Sequence, residues 1–214
     1  VYIIAQTSVL ISNTTFDSAV FDDENAYHFS INAFAGAVAN LSDVTITSPT
    51  ASVSLTQPMI LINGFADVSV TNLRLESIML TQPGLVFQGN GEVTIQDLEA
   101  TDFESAPLLR LTDNNHTIAQ NLKIENGASG VIGIHLDDGT NSNVTITNLT
   151  ATNSTHPVKV GINSNLELVD STFELFTIGL SGVGAISLQN CTFHNGSQAA
   201  DLSESSNFTV RNSN

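Results

Sequence analysis

Short stretches in which apolar and polar residues alternate recur along the whole chain. In VTITNLTA (144–151) the alternation predicts a half-buried β-strand. Related stretches are VSVTNLRL (68–75), VTIQDLEA (93–100), TIAQNLKI (117–124), LELVDSTF (166–173), ISLQNCTF (186–193) and FTVRNSN (208–214), with weaker copies VLISNTTF (9–16) and VTITSPTA (44–51). No window of 11 residues shows helical periodicity. The chain is therefore predicted to be all-β.

A second short apolar run precedes each of the later copies and repeats at the same interval. These runs are MILIN (59–63), LVFQGN (85–90), LLRLT (108–112), IGIHL (132–136), VKVGI (158–162), IGLS (178–181) and ADL (200–202). In the first pattern an Asn or Asp recurs, with Ser48 filling the place once, and the spacings from residue 48 onward are 24, 25, 24, 27, 22, 20 and 22. Two short strands repeating every 20–27 residues predict the stacked coils of a parallel β-solenoid.

This double repeat resembles the right-handed parallel β-helix, or pectin-lyase-like, superfamily. The resemblance implies one domain over residues 1–214 with about nine coils of 20–27 residues, forming a rod ~40 Å long. Residues 17–43 fit the repeat poorly and are expected to be an irregular coil or an insertion. Since the chain begins at Val1 without Met, it is interpreted as a processed chain or a segment of a longer protein.

In that superfamily the turn between two strands is often Asn, and the turn side chains stack into an internal ladder. The resemblance implies such a ladder at Asn72, Asp97, Asn121, Asn148, Asp170, Asn190 and Asn212. Alternation places Val144 and Ile146 inward and, after the turn, Leu149 and Ala151. By alignment, Cys191 is expected to be a small buried hydrophobe, and Phe173 and Phe193 to stack in the core.

Amino-acid composition limits the kinds of molecule that the chain is expected to bind. The chain has 5 Lys and Arg against 21 Asp and Glu, a formal charge of −16, which disfavours nucleic acid and anionic membranes. One cysteine excludes an internal disulfide, no Cys/His spacing matches a structural zinc site, and no run of 18 apolar residues predicts a membrane span. No metal or cofactor is expected, although weak calcium binding stays open as an alternative.

Asparagine is abundant, with 22 residues, and nine of them begin Asn-x-Ser/Thr sequons. Chance would give roughly four or five, so the excess favours a secreted or cell-surface protein. We expect N-linked glycans at Asn40, Asn115, Asn143, Asn153, Asn195 and Asn207. The sequons at Asn13, Asn148 and Asn190 are expected to be silent, because a ladder side chain is engaged with neighbouring coils.

Three basic residues form the best candidate for catalysis. If the second strands are in register, Arg110, His135 and Lys159 project from consecutive coils, with Asp113, Asp137 and Asp138 just beyond the strands. In pectin-lyase-like polysaccharide lyases the equivalent face carries calcium-binding carboxylates and a basic residue that abstracts a proton. The resemblance thus implies that a cation and Ca²⁺ would neutralise a uronate while a base removes the adjacent proton.

Two functions follow from these features. The first is an extracellular structural or adhesive glycoprotein, a stiff acidic rod that assembles end to end into filaments with itself or with neighbouring repeats of the same protein. The alternative is a polysaccharide lyase or glycoside hydrolase that uses Arg110, His135, Lys159, Asp137 and Asp138. Uninterrupted coils and the absence of a familiar catalytic motif favour the first.

Overall fold

Two parallel sheets run through the molecule. The computed structural model describes residues 2–17, 20–21, 29–33, 36–47, 50–51, 57–78, 82–104, 107–128, 131–137, 143–202 and 207–214. Sheet A stacks nine described strands in the order β1 (Tyr2–Ala5), β4 (Phe29–Ala33), β7 (Ile60–Asn63), β9 (Leu85–Gln88), β11 (Leu109–Thr112), β13 (Ile132–Leu136), β15 (His156–Val160), β18 (Ile178–Gly182) and β21 (Gln198–Asp201).

Sheet B follows sheet A along its whole length. Its main path is β2 (Ser8–Asp17), β5 (Val38–Thr47), β8 (Asp67–Glu76), β10 (Glu92–Phe103), β12 (His116–Gly127), β14 (Asn143–Thr152), β16 (Asn165–Val169), β19 (Ala185–Gln189) and β22 (Asn207–Arg211). The strands β17 (Thr172–Glu174) and β20 (Thr192–His194) continue its second half, and β3 (Val20–Phe21) pairs with β6 (Thr50–Ala51). Each coil is one strand of sheet A and the sheet B segment that follows it, so the parallel solenoid is confirmed.

Sheet B bends because residues with positive φ interrupt each strand. The first corner is formed by Asn13, Asp43, Asn72, Asp97, Asn121, Asn148, Asp170, Asn190 and Asn212, with φ between 48° and 59°. Five residues later, a second corner is formed in successive coils by Ser77, Asp102, Asn126, Asn153, Leu175 and Asn195. Asn and Asp tolerate this conformation better than most residues. The two corners therefore give three sides to the six coils in which both are described.

The core lies between the sheets and matches the predicted alternation. Val144, Ile146, Leu149 and Ala151 are each at most 2% exposed. The rings of Phe173 and Phe193 stack with centroids 4.8 Å apart and planes 5° apart, as expected. Such aromatic pairs stabilise a core by about 0.5–1.5 kcal/mol beyond the area they bury.

Cys191 is buried in the core column that Leu149 and Ser171 also occupy. Its Sγ lies 3.4 Å from the carbonyl oxygen of Leu168. Burial raises the pKa of the thiol, the largest of several effects on it. This placement fits the expected small buried hydrophobe.

The described parts of 17–43 are more regular than expected. The strand β4 pairs in register with both β1 and β7, and β5 pairs in register with β2 and β8. Ala39 and Leu41 of β5 are buried in the core. The described strands of this range therefore stack in the same two sheets as the later coils, while residues 18–19, 22–28 and 34–35, where an insertion would fall, lie outside the described residues.

One corner residue was misaligned by the sequence pattern. Asp43, and not Ser48, stands at the first corner between Asn13 and Asn72, while Ser48 lies outside the described residues. The alternating run that precedes the first corner is similar to the run that precedes the second. An alignment can therefore slip by the five residues that separate them.

Candidate functional site

The predicted basic column lies on the outer face of sheet A. Arg110 pairs with His135 across β11 and β13, and His135 pairs with Lys159 across β13 and β15. The column continues through Ser181 to Asp201. The residues that flank Arg110, His135 and Lys159 in their strands are buried, so these three side chains point outward. The predicted register of the column is confirmed.

Arg110 is held by an acid of the next coil. Its Nε donates to Oδ2 of Asp137 at 3.1 Å, and its Nη2 donates to the same oxygen. Thr112 Oγ1 donates to that oxygen too, at 3.2 Å. The side chain of Asp137 is 17% exposed and that of Arg110 is 39% exposed. The guanidinium is thus neutralised by a half-buried ion pair, while Asp138 lies outside the described residues.

Asp113 is not part of this ion pair. It is exposed and has a φ of 54°, at the turn that leads from β11 towards β12. Gly64 and Gly89 occupy the same turn in the two preceding coils, also with positive φ. Asp113 is therefore a turn residue, although the sequence predicts it beside Asp137 and Asp138.

A cavity of about 310 Å³ opens beside Lys159. Its lining is Ile132, His156, Lys159, Ile178, Ser181 and Asp201. Lys159 forms no ion pair with any described residue. His156 Nδ1 is shielded from solvent and has no hydrogen-bond partner among the described residues. A cation, a carboxylate, a hydroxyl and an imidazole therefore surround an apolar floor, a combination that can bind a polar ligand and move a proton.

A second concave surface lies on the part of sheet B that precedes the first corner, and polar and apolar residues both line it. It is a groove of about 320 Å³ whose lining includes Asn143, Thr145, Asn165, Glu167, Ser187, Asn207 and Thr209. Two of its asparagines, Asn143 and Asn207, begin sequons. The parallel register brings these residues together from four coils, which no single stretch of sequence shows.

Two other basic residues form ion pairs with glutamates on the outer face of sheet B. Arg74 Nη2 lies 2.7 Å from Glu99 Oε2, and Lys123 Nζ lies 3.1 Å from Glu99 Oε1. Glu76 and Glu125 complete this network at 3.3 and 2.9 Å. The hydrogen bond from Arg74, followed by that from Lys123, holds the pKa of Glu99 below its usual value. This cluster is a solvated network that links three coils.

The predicted ladder exists, but it is on the outside of the molecule. Its asparagines are exposed, and in four of them Nδ2 donates to the corner residue one coil earlier: Asn72 to Asp43, Asn121 to Asp97, Asn148 to Asn121, and Asn190 to Asp170, at 2.8–2.9 Å. The expectation of an internal ladder is therefore wrong. Ionised Asp can only accept, so each run of bonds ends on an aspartate.

The second corner carries a similar ladder. Asn126 donates to Asp102 at 2.9 Å, and Asn153 donates to Asn126 at 3.1 Å. The two sequons at Asn148 and Asn153 thus occupy the two corners of one coil. This arrangement explains their separation of five residues in the sequence.

An internal ladder does occur, at a place the sequence pattern missed. Asn90 and Asn114 are 2% and 1% exposed. Asn114 Oδ1 accepts from the backbone N–H of Asn90 at 3.1 Å and from its Nδ2 at 3.0 Å, while Asn114 Nδ2 donates to the Phe87 carbonyl at 3.0 Å. Asn90 in turn accepts from the N–H of Phe65 at 2.9 Å. The available signal was an Asn that follows Gly89 or Asp113 in consecutive coils.

Every sequon asparagine is exposed, including those expected to be silent. All nine lie on the sheet B side of the coil or in its turns, and none lies in a strand of sheet A. The outer face of the described sheet A strands therefore bears no sequon. Exposure alone does not separate the six expected glycan sites from Asn13, Asn148 and Asn190.

Two further kinds of feature, a metal-binding cluster and a membrane-spanning helix, are absent from the described residues. No three His, Cys, Asp or Glu side chains in this part of the chain are grouped so as to hold a metal ion. The described residues also contain no helix long and apolar enough to cross a membrane.

Comparison with known proteins defines the class. Residues 58–214 match the family described as right handed beta helix region. The chain therefore belongs to the right-handed β-helix family, and the predicted fold class is confirmed. No curated protein matches the sequence.

Among solved structures the chain is similar to the catalytic domain of a GH87 alpha-1,3-glucanase variant in complex with tetrasaccharides. The identity is 13% and the TM-score is 0.24, over 97% of this chain and 65% of that one. The chain thus spans about two thirds of that catalytic domain. The glucanase activity belongs to that protein and is not transferred at this level of similarity.

Proposed function

We propose that this chain is an extracellular structural or adhesive rod, N-glycosylated and displayed at the cell surface. The observation that carries the proposal is the continuous in-register stacking of both sheets through nine described strands each. Two external ladders and one internal ladder add hydrogen bonds along the same axis. A stack of this kind resists bending and extends by repeating one register.

Charge supports a solvated rod. The formal charge is −16, and three of the five basic residues bind acids on sheet B or sheet A, namely Arg74, Arg110 and Lys123. Copies of so acidic a chain repel one another at low ionic strength. Association with further copies, or with neighbouring repeats of the same protein, should therefore strengthen as salt is added.

The test is secretion of the chain from a eukaryotic cell, followed by negative-stain electron microscopy over a series of salt concentrations. Samples with and without enzymatic removal of N-glycans are compared. Fibres with a regular axial repeat that lengthen with salt support the rod and its self-association. Dispersed short rods under all conditions refute self-association, and a chain that reaches the medium with no sugar refutes the glycoprotein.

A second candidate is a polysaccharide lyase or glycoside hydrolase, favoured by one observation. Lys159, His156, Ser181 and Asp201 surround a cavity on the face of the described sheet A that bears no sequon. The wild-type chain would be incubated with acidic and neutral polysaccharides, with calcium or a chelator, and new chain ends measured. Lys159→Ala should reduce cleavage by about 10²-fold or more, whereas Lys123→Ala, on the other sheet, should not. No cleavage by the wild type excludes this candidate.

A further inference from the structure

Asn148 and Asn153 share four features that bear on glycosylation. Both begin sequons, both are exposed, and their φ angles are 59° and 51°. Each donates one Nδ2–H to an asparagine of the preceding coil, at 2.9 Å to Asn121 and 3.1 Å to Asn126. If a ladder bond prevented glycosylation of Asn148, it would therefore prevent glycosylation of Asn153 as well.

A side-chain amide can donate a ladder bond and carry a sugar on the same nitrogen. A primary amide has two N–H groups, and the ladder uses one of them. When a sugar replaces one hydrogen, the side chain becomes a secondary amide, which like the peptide bond prefers the planar trans form. The remaining N–H then points away from the carbonyl oxygen of its own side chain, the direction required for amides to bond in a row.

The third sequon of this coil is also compatible with a glycan. Asn143 takes part in its own column as an acceptor, since Asn165 Nδ2 donates to its Oδ1 at 2.9 Å. Asn143 is exposed at the start of β14. Asn143, Asn148 and Asn153 thus lie five residues apart, at the start of the first side, at the first corner and at the second corner.

We propose that Asn148 carries an N-linked glycan and keeps its ladder bond, so that glycans at Asn143, Asn148 and Asn153 surround the sheet B side of one coil. The inference rests on the proposed extracellular location. In the transfer, Nδ2 bonds to the anomeric carbon of an oligosaccharide on a lipid pyrophosphate donor. The bond from that carbon to the pyrophosphate oxygen breaks, the pyrophosphate leaves with the electron pair, and a transferase base takes the Nδ2 proton.

The same geometry extends to Asn190, which donates to Asp170 at 2.9 Å and begins a sequon. Glycans are bulky and solubilising, so three on one coil would block lateral contacts with sheet B there. The sheet A face of that coil, which includes His135, would stay open. Any partner of this coil would therefore approach sheet A.

The experiment maps sugar on the chain secreted from a eukaryotic cell, by mass spectrometry of peptides released with and without enzymatic deglycosylation. Thr150→Val removes the sequon of Asn148 but keeps the ladder asparagine and a β-branched side chain. Asn148→Asp removes both the sugar and the ladder donor. Thr155→Val removes the sequon of Asn153 together with the bond from Thr155 Oγ1 to the Ala128 carbonyl at 3.2 Å, so it serves for the glycan count and not for the comparison of stability.

The wild type should carry sugar on Asn148 at an occupancy similar to that of Asn153, and Thr150→Val should lose one glycan. The unfolding temperature of Thr150→Val should stay near that of the wild type, whereas Asn148→Asp should lower it by roughly 2–4 °C, the shift for one net hydrogen bond in a chain of this size.

Occupied Asn153 with empty Asn148 refutes the inference and leaves the glycoprotein proposal standing. A rise in unfolding temperature when Thr150→Val removes the sugar shows that glycan and ladder compete, which also refutes it. A secreted, folded chain with no sugar at any sequon refutes both the inference and the proposed glycoprotein.

Discussion

Replacing Asn114 by Ala should test whether the internal ladder stabilises the solenoid. Asn114 is 1% exposed and joins three groups: the N–H and Nδ2 of Asn90, and the carbonyl of Phe87. The Nδ2 of Asn90 keeps its bond to the Ile62 carbonyl at 3.1 Å. The substitution therefore removes the partner of one buried backbone N–H, one of the two bonds donated by the Nδ2 of Asn90, and one bond to a buried carbonyl.

The expected cost follows from these three losses. A buried donor left without a partner costs about 1–3 kcal/mol, and each of the two other lost hydrogen bonds costs about 0.5–1.5 kcal/mol net. The sum is roughly 2–6 kcal/mol, with a central value of about 4 kcal/mol. For a chain of this size that corresponds to a fall in unfolding temperature of about 8–16 °C.

The assay is thermal and urea unfolding followed by circular dichroism in the β-sheet band, with Asn121→Gly as the control. Asn121 is exposed and takes part in two ladder bonds on the outside of the same coil. Glycine accepts its φ of 55°, and the freed groups can bond to water. The control should therefore cost less than about 1 kcal/mol.

Stacked repeats can unfold in steps, so a local measurement should accompany the global one. Amide hydrogen exchange at Asn90 should speed up in Asn114→Ala and stay unchanged in Asn121→Gly. A loss below about 1 kcal/mol in Asn114→Ala, or equal losses in the two variants, would refute the argument that burial makes the internal ladder the stronger one.

Three further predictions concern charge, the thiol and a close backbone contact. Glu99→Gln should lower the unfolding temperature at pH 7 by about 2 °C or less. Because the pKa of Glu99 is depressed in the folded state, its contribution to stability is present above the unfolded-state pKa and is lost as pH falls through the folded-state pKa. The unfolding curves of wild type and variant should therefore converge in acid and at high salt. The pKa of the Cys191 thiol is raised in the folded state. Its contribution to stability is therefore present below the unfolded-state pKa and should be lost as pH rises through the folded-state pKa. Cys191→Ala should lack that alkaline loss, and the native thiol should react with a thiol reagent only on unfolding. Gly91→Ala should cost about 1–3 kcal/mol in urea unfolding, since its Cβ would lie 2.2 Å from the backbone oxygen of Ala66, and a neutral result would show that the coils can separate at this turn.

The fold could be predicted from the sequence because each coil repeats the same physical requirement. Alternation sends Val144 and Ile146 into the core, and a residue that tolerates positive φ must follow at the corner. Asn148 meets this requirement, and its counterparts recur in every described coil. Two such signals at one interval identify a stacked parallel solenoid without any single diagnostic motif.

The side to which a ladder points was harder to predict. Alternation distinguishes the two faces of a strand, but a corner residue belongs to neither face. Asn121 was expected inside and is exposed, whereas Asn114, seven residues earlier, is buried. Only the path of the backbone through the turn decides which asparagine side chain faces the core.

The chemistry of the sheet A column depends on partners that the strand pattern does not contain. Register brought Arg110, His135 and Lys159 together as predicted, because paired strands keep their alignment. The turn after β13 then places Asp137 on Arg110, so that the guanidinium is bonded within the fold. Lys159 has no ion pair among the described residues and lies in the cavity with Asp201. It is therefore the residue at which the two proposed functions differ: a rod should tolerate its loss, and an enzyme should not.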